Sequence, residues 1–453
     1  MKQRRGPFGG WRLAVCLVLA ILAGSSVFAQ ASGPLSLEDV VALVKSGNAS
    51  LRQARLQVAR ADEQVAAART KTKPRIGTYL LGTHALETPE IFVERGMLGE
   101  LPKLGAFPPN AVTFSESRRN SLYSLISMTY PVTRQRDIRT GIRMSETARD
   151  LAESGAAQAT LDVVCETKKL YCSILALENA RAANATAIRL FSEYAETIGR
   201  LVAEGYAQKA DLLDVKARLE QVRAREEALR LKRESLVETL GRLCGIENAA
   251  SISLVPLPEP SGDPASDTVS IDNGLPNHPR VREGGLRKKL AELDRELAKG
   301  EFRPSVALTA DRLQGHRTAE YLPKHVSAMG LLVSWDPFDW GKRRHELKEK
   351  QLACLQAGIA LEETGRAVRE AIHAARRQLQ EADARFAAAR AKSDWAEEQA
   401  RVFRNRLVEK AILPRELLEA EAELAEARFL QHQACLDAWI ARAELDRALG
   451  ELR

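Results

Sequence analysis

Two stretches of the chain repeat one pattern of leucine and charge. ADLLDVKARL (210–219) returns as RELLEAEAEL (415–424): Leu212, Leu213, Ala217 and Leu219 reappear as Leu417, Leu418, Ala422 and Leu424, and Asp211 and Asp214 as Glu416 and Glu419. Around the first phrase, Leu212, Val215, Leu219, Val222, Leu229, Leu236, Leu240 and Leu243 keep a three-four spacing interrupted by Glu226 and Arg233. The second keeps the register with smaller residues, Leu417, Ala420, Leu424, Ala427, Ala434, Ala438, Ala441 and Leu445. Such spacing lines one side of a helix with apolar groups and predicts a coiled-coil seam in each copy. No proline interrupts the chain between Pro131 and Pro256, or between Pro337 and Pro414. The Ala, Leu, Arg and Glu that fill these stretches favour long helices. One is predicted from about Arg134 to Leu201, a length on the order of 100 Å at 1.5 Å per residue.

Shorter elements repeat as well. PRIGTYLL (74–81) and PSVALTA (304–310) each follow a charged helical stretch, and SLYSLISMTYP (121–131) corresponds to SAMGLLVSWDP (327–337). These read as strands. In the last, Met329, Leu331, Val333 and Trp335 alternate with Gly330, Leu332 and Ser334, which places the large apolar side chains on one face. A membrane-facing strand over a wet lumen has this pattern, and so does a soluble sheet with one face on a core. Each copy thus reads helix, strand, strand, long helix, turn, helix. The first copy has the longer connection between its strands, Glu87 to Asn120, where Pro89, Pro102, Pro108 and Pro109 mark a surface loop. A Pro-, Gly-, Ser- and Asp-rich break from Glu247 to Pro279 joins the copies, with a short strand expected near Ser251 to Val255. The organisation expected is a signal peptide at 1–29, a first repeat at 30–246, a linker at 247–275 and a second repeat at 276–453.

The first thirty residues change the meaning of the charge. Lys2, Arg4 and Arg5 precede an apolar run from Leu13 to Ala23, followed by small residues that end in Val27-Phe28-Ala29 and Ala29-Gln30-Ala31. This is the layout of a secretory signal cleaved near Ala29 or Ala31, and the run is too short for a spanning helix of roughly twenty residues. With Arg12, its four basic residues account for much of the formal charge of +7. With 28% charged residues of both signs and no basic block set among aromatics, nucleic-acid binding has no support. Five cysteines remain, Cys165, Cys172, Cys244, Cys354 and Cys435. An odd number in an exported chain argues against a disulfide framework, and these read as small apolar packing residues.

No mature segment has the apolar length of a membrane helix, so a membrane-spanning form must be a barrel. Four strands per chain cannot close one, because about eight are the fewest that leave a filled interior. Several chains must then supply strands together, and helices this long would pack into a tube that extends the lumen.

The order of elements, the linker between halves, the Pro-flanked strand pairs and the turn LVAEGYAQKAD (201–211) resemble the TolC-type outer membrane efflux family. The resemblance covers essentially the whole mature chain. It implies a mainly α protein with a small β part: a homotrimer with a twelve-stranded β-barrel in the outer membrane, continued by an α-helical tunnel across the periplasm. It also implies export driven by an inner-membrane transporter that is reached through a periplasmic adaptor. Adaptor docking would fall at the helix tips, Gly205, Tyr206 and Ala210 in the first copy and Lys410 and Pro414 in the second. Gly205 suits a left-handed helix end, Asp211 the start of the next helix, and Pro414 an initiating position; Lys410 departs from the first copy by standing in the glycine's place. By similarity to acidic residues at this place in the family, Glu416 and Glu419, and less strongly Asp211 and Asp214, are candidates for a pore constriction that attracts cations. Acids are also favoured in a first helical turn whether or not a pore exists.

A competing reading is a periplasmic coiled-coil adaptor or scaffold without a membrane barrel. It would normally carry one hairpin, whereas two are written here, each after its own strand pair. His278, His316, His325, His345, His373 and His432 lack metal-ligand spacing, and there is no nucleophile-base-acid arrangement or glycine-rich phosphate loop. The expectation is a channel rather than an enzyme, with no cofactor and no metal site. Trp335, Trp340 and Tyr130, near strand ends, are candidates for an interfacial aromatic belt.

Overall fold

A computed structural model describes residues 34–84, 86–87, 90–101, 105–115, 120–205, 208–246, 252–259, 275–316, 324–408 and 414–451. The expected signal peptide, Tyr206 and Lys410 lie outside the described residues. The first half runs α1 (Leu37–Gly47), α2 (Ala49–Thr70), β1 (Arg75–His84), β2 (Glu90–Val93), β3 (Glu100–Leu101), β4 (Gly105–Ala106), β5 (Val112–Ser115), β6 (Asn120–Pro131), α3 (Gln135–Ala203) and α4 (Lys209–Cys244). The second runs α5 (Pro279–Gly300), β7 (Ser305–His316), β8 (His325–Ser334), α6 (Lys342–Val408) and α7 (Pro414–Leu449).

The duplication extends to length. α2 and α5 each have 22 residues, α4 and α7 each have 36, and α3 and α6 have 69 and 67. A helix of 69 residues is about 100 Å long, and one long helix is nearly matched by a return helix and a short helix laid end to end, at about 54 Å and 33 Å. That stacking is visible at both joints. At the first, Asn48 caps α2 by accepting from the N–H groups of Ser50 (2.9 Å) and Leu51 (3.2 Å), and its Nδ2 donates to the Leu243 carbonyl at the end of α4 (3.1 Å). The approach is so close that a Cβ on Gly47 would lie 2.2 Å from the Cys244 carbonyl oxygen. Only glycine fits.

The expected seams are present. Along α4, Leu219 and Leu240 are buried and the other predicted positions are half-buried against α3. In the second hairpin Ala396 and Ala400 of α6 close on Leu424 and Ala427 of α7. Small residues there let the two backbones approach more closely than the leucines of the first hairpin do.

The main core sits where α1 meets α3 and α4. Val40, Val44, Ile174, Leu175, Leu240, Cys172 and Cys244 surround Tyr171, which is completely buried. The short strand expected near Ser251 to Val255 is reduced to one parallel bridge between Leu35 and Leu254. Tyr171 closes it, its hydroxyl shared between the carbonyls of Val255 (2.6 Å) and Leu35 (3.1 Å). All five described cysteines are free thiols and four are buried, as packing residues are.

β1, β6, β7 and β8 form one antiparallel sheet in the order β1-β6-β7-β8. The second strand of the first half therefore pairs with the first strand of the second, and β1 and β8 are open edges. The region read as a surface loop from Glu87 to Asn120 needs correcting, for it carries two small ribbons, β2 with β5 and β3 with β4. Pro108 and Pro109 fall outside those strands, consistent with their missing N–H, while Pro89 and Pro102 lie outside the described residues.

Candidate functional site

Two regions hold the residues singled out from sequence: the sheet, and the far ends of the helical hairpins. Residues opposite each other in an antiparallel sheet share a face, so the registers sort the sheet completely. Met329, Leu331 and Val333 of β8 join Ala310, Leu308 and Val306 of β7 and Met128 and Tyr130 of β6 on one face. Ile76 of β1 continues it through its pairing with Met128. Met329, Leu331, Val333 and Ile76 are 62 to 76% exposed, large apolar groups with nothing over them. The other face carries Gly77, Ser127, Thr129, Thr309, Asp311 and Gly330, small or polar apart from Leu332 in the half nearest the helices, and Tyr79, Leu125, Leu313 and Val326 farther out; its β6 residues are half-buried.

Trp335 differs from expectation. β8 ends at Ser334, paired with Ser305, and Trp335 is the first residue beyond the ladder. The preceding residue of β7 is Pro304, which has no N–H to donate, so pairing stops there. Trp335 instead begins an exposed aromatic group with Phe338 and Trp340, whose rings meet edge to face at 6.4 Å. Trp340 is 95% exposed and holds φ at 54°, the left-handed region. The turn beneath is clamped: Asp339 accepts from the N–H groups of Gly341 and Arg343 and pairs with the Arg343 guanidinium at 2.6 Å. The Arg343 side chain, hydrogen-bonded to it, holds the Asp339 carboxyl well below the usual carboxylate range. Arg343 also lies over the Phe302 ring, 5.8 Å from its centre.

At the first helix tip, α3 ends at Ala203 and Gly205 takes φ +79°, with its N–H donated to the Val202 carbonyl. This matches the expected left-handed end. Asp211 was expected to start the next helix, but α4 begins at Lys209, which puts Ala210 and Asp211 inside the first turn. Asp214 is committed locally, paired with Arg218 at 3.0 Å one turn on. At the second tip α7 begins at Pro414, the position its fixed φ favours. Glu416 and Glu419 are both exposed while Ala420, the next residue, is buried. They share the outward side of α7 near its start, as their three-residue spacing requires. Behind the tip, Glu421 pairs with Arg404 across the hairpin at 2.6 Å.

Sequence reasoning missed His278. Its Nδ1 accepts the Arg280 N–H (3.2 Å) as the cap of α5, and the carbonyls of Arg447 and Ala448 at the end of α7 lie within hydrogen-bonding reach of its ring. Burial, first, and the nearby Arg280 lower its pKa. The one available signal was its place in the duplication: Asn48 immediately precedes α2, which begins at Ala49, as His278 immediately precedes α5, which begins at Pro279. Among the described residues no helix is long and apolar enough to cross a membrane, and no group of three metal-ligating side chains occurs.

The family model described as outer membrane efflux protein matches residues 40–246 and 271–451. A comparison with curated protein sequences finds no match. Several solved structures share the fold. A membrane protein from Pseudomonas aeruginosa is 18% identical, with TM-score 0.73 over 91% of this chain and 93% of its own. The outer membrane protein VceC from Vibrio cholerae is 15% identical, with TM-score 0.72 over 92% of this chain and 96% of its own. The open state of the MtrE outer membrane channel from Neisseria gonorrhoeae is 18% identical, with TM-score 0.69 over 94% of each chain.

Proposed function

The chain belongs to the outer membrane efflux protein family, and from that premise we propose that three copies close their sheets into one twelve-stranded barrel continued by a tunnel of helices. The protein is an outer membrane efflux channel and not an enzyme. One observation carries the trimer: a four-stranded sheet whose edge strands β1 and β8 each lack a partner on their outer side among the described residues, with an exposed apolar face. Open edges are not tolerated in hydrocarbon, because each unpaired N–H and C=O there costs several kcal/mol. Joining β8 of one copy to β1 of the next removes every edge, and four strands from each of three chains make a barrel wide enough for a lumen.

In this assembly Met329, Leu331 and Val333 face lipid, and the opposite face, mostly small and polar in its half nearest the helices, lines the passage. Trp335, Phe338 and Trp340, at the end of the sheet nearest the helices, sit at the periplasmic membrane boundary, where aromatic rings are favoured. The helices run on through the periplasm. Their tips, Gly205, Tyr206, Ala210, Lys410 and Pro414, meet a periplasmic adaptor that couples the duct to an inner-membrane transporter. Glu416 and Glu419, with Asp211 and Asp214 behind them, ring the narrow end. Export is passive within the duct, with direction and energy supplied by the transporter.

The soluble scaffold is disfavoured by the family and by the exposed apolar face, which water would not leave uncovered. The deciding experiment is native mass spectrometry of detergent-purified protein together with planar-bilayer recording. A trimer that opens stable conductances is expected; a monomer that stays soluble without detergent would sink the proposal.

A further inference from the structure

The face that carries Met329 and Leu331 changes character along its length. Near the helices it is apolar; toward the far end β7 presents Arg312, Gln314 and His316 and β8 presents His325 and Ser327, beside Ile126, Leu122 and Leu80, which keep the β6 and β1 side of the face apolar. The register packs them together. Arg312 stands opposite Ser327 and Gln314 opposite His325, so Arg312 and His325 are diagonal neighbours, roughly 7–8 Å apart at the backbone. His84 lies at the same end of β1. Within the four strands this face contains no Asp or Glu at all. Asp311, the one carboxylate in the sheet, points to the opposite face, and no ion pair joins Arg312 to another described residue.

The opposite face inverts at the same level. There Tyr79, Leu125, Leu313 and Val326 replace the glycine, serine and threonine found nearer the helices. A lipid-facing surface must stay apolar through the hydrocarbon, so the polar far end of β7 and β8, with Asn120 and His84 at the matching ends of β6 and β1, lies toward the headgroup layer, which the long Arg312 side chain can reach from beside Ile126. The Arg312 guanidinium, with no acid on its face of the four strands among the described residues and flanked by two imidazoles, an amide and a hydroxyl, heads a set of hydrogen-bonding groups on a two-strand scaffold. Guanidinium binds phosphate with paired, charge-assisted hydrogen bonds.

We propose that Arg312, Gln314, His316, His325 and Ser327 form a binding site for the phosphate of an anionic glycolipid in the outer leaflet around the channel, one site per protomer. The assignment rests on the barrel reading above, because it needs this face to be the lipid-facing one. Continuity with the apolar band selects a lipid phosphate over a free one: acyl chains of the same molecule would lie on Met329 and Leu331.

The test is native mass spectrometry of the detergent-purified protein titrated with a bis-phosphorylated lipid A and with its dephosphorylated counterpart. The expected result is retention of the phosphorylated form, with affinity reduced about tenfold in Arg312→Gln, the loss of one charge-assisted contact. Asp311→Asn, one residue away on the other face, is expected to bind as the parent does. Equal binding of the two lipids, or an Arg312→Gln variant that binds as the parent does, overturns the site. Displacement of the lipid by inorganic phosphate at matching concentration also overturns it, in favour of a free-anion site. The same spectra report the oligomer: a trimer without phosphate discrimination defeats this inference alone, whereas a monomer defeats the barrel reading first.

Discussion

Asn48 and His278 occupy the same place in the two halves of the molecule. Each caps a 22-residue helix and at the same time reaches the carbonyl end of a 36-residue helix stacked against it. One residue thus satisfies orphan groups on two helices, and the two helices run on as one beside a longer neighbour. Asn48 does so with an amide that never titrates. His278 does so with a ring that does.

The pH dependence follows from that difference. Burial favours the neutral ring and depresses the His278 pKa below 6.5, outweighing the carbonyls of Arg447 and Ala448 and the Asp162 carboxylate, which favour the cation, and reinforced by Arg280, which does not. As pH falls below about 6.5 the unfolded chain takes up the proton before the folded one, so stability is full above that value and lost toward the folded pKa. His278→Asn is expected to keep the cap and flatten this acid loss. Melting temperatures of the two proteins from pH 7.5 to 5 would show it, and parallel curves would contradict it.

Tyr171→Phe removes the hydroxyl shared by the carbonyls of Val255 and Leu35. Both carbonyls then lose a buried donor while the ring still fills its place in the core. A destabilisation of about 1–3 kcal/mol is expected, read as a lower denaturant midpoint, and Leu254 should become more open to hydrogen exchange.

Gly47→Ala should be costly for so small a change. The added methyl would lie 2.2 Å from the Cys244 carbonyl oxygen, and backbone cannot swing aside as a side chain can. The two stacked helices must separate, at a cost of about 1–3 kcal/mol. Gly155, with open space around its Cβ position, is the control: Gly155→Ala lies within α3 and should be neutral or stabilising by up to about 1 kcal/mol.

Glu416→Lys combined with Glu419→Lys reverses the charge on the outward side of α7 at the tip. If these carboxylates line the narrow end, single-channel cation preference should fall or invert. Asp214→Lys should act more weakly, because Arg218 already balances Asp214. Unchanged selectivity in the double variant would remove the ring.

Trp340→Gly should raise stability in detergent by about 1–2 kcal/mol, since only glycine holds a positive φ without cost. Trp340→Ala should not, because alanine keeps the strain. A strained backbone beneath a side chain that is 95% exposed argues that the ring is kept for something outside the chain. Insertion into liposomes should accordingly weaken in both variants.

Local pattern determined much of this protein. Alternation placed the four strands of the sheet, the proline-free stretches placed the long helices, and the repeated phrase around Asp211 and Glu416 revealed the duplication, because helix seams and strand faces are written in nearest-neighbour periodicity. It did not determine that β6 would pair with β7 and so join the halves through the middle of one sheet, nor that Trp335 would fall past the ladder. Nor could it assign Asp214 to Arg218 instead of to a lumen, or show that Asn48 and His278 each hold two helices end to end. Those outcomes depend on which distant backbone groups meet, and hydrogen bonds between segments far apart in the chain leave no periodic trace in either segment. Only the tertiary structure brings the partners together, and with them sets β1 and β8 at the two edges of the sheet.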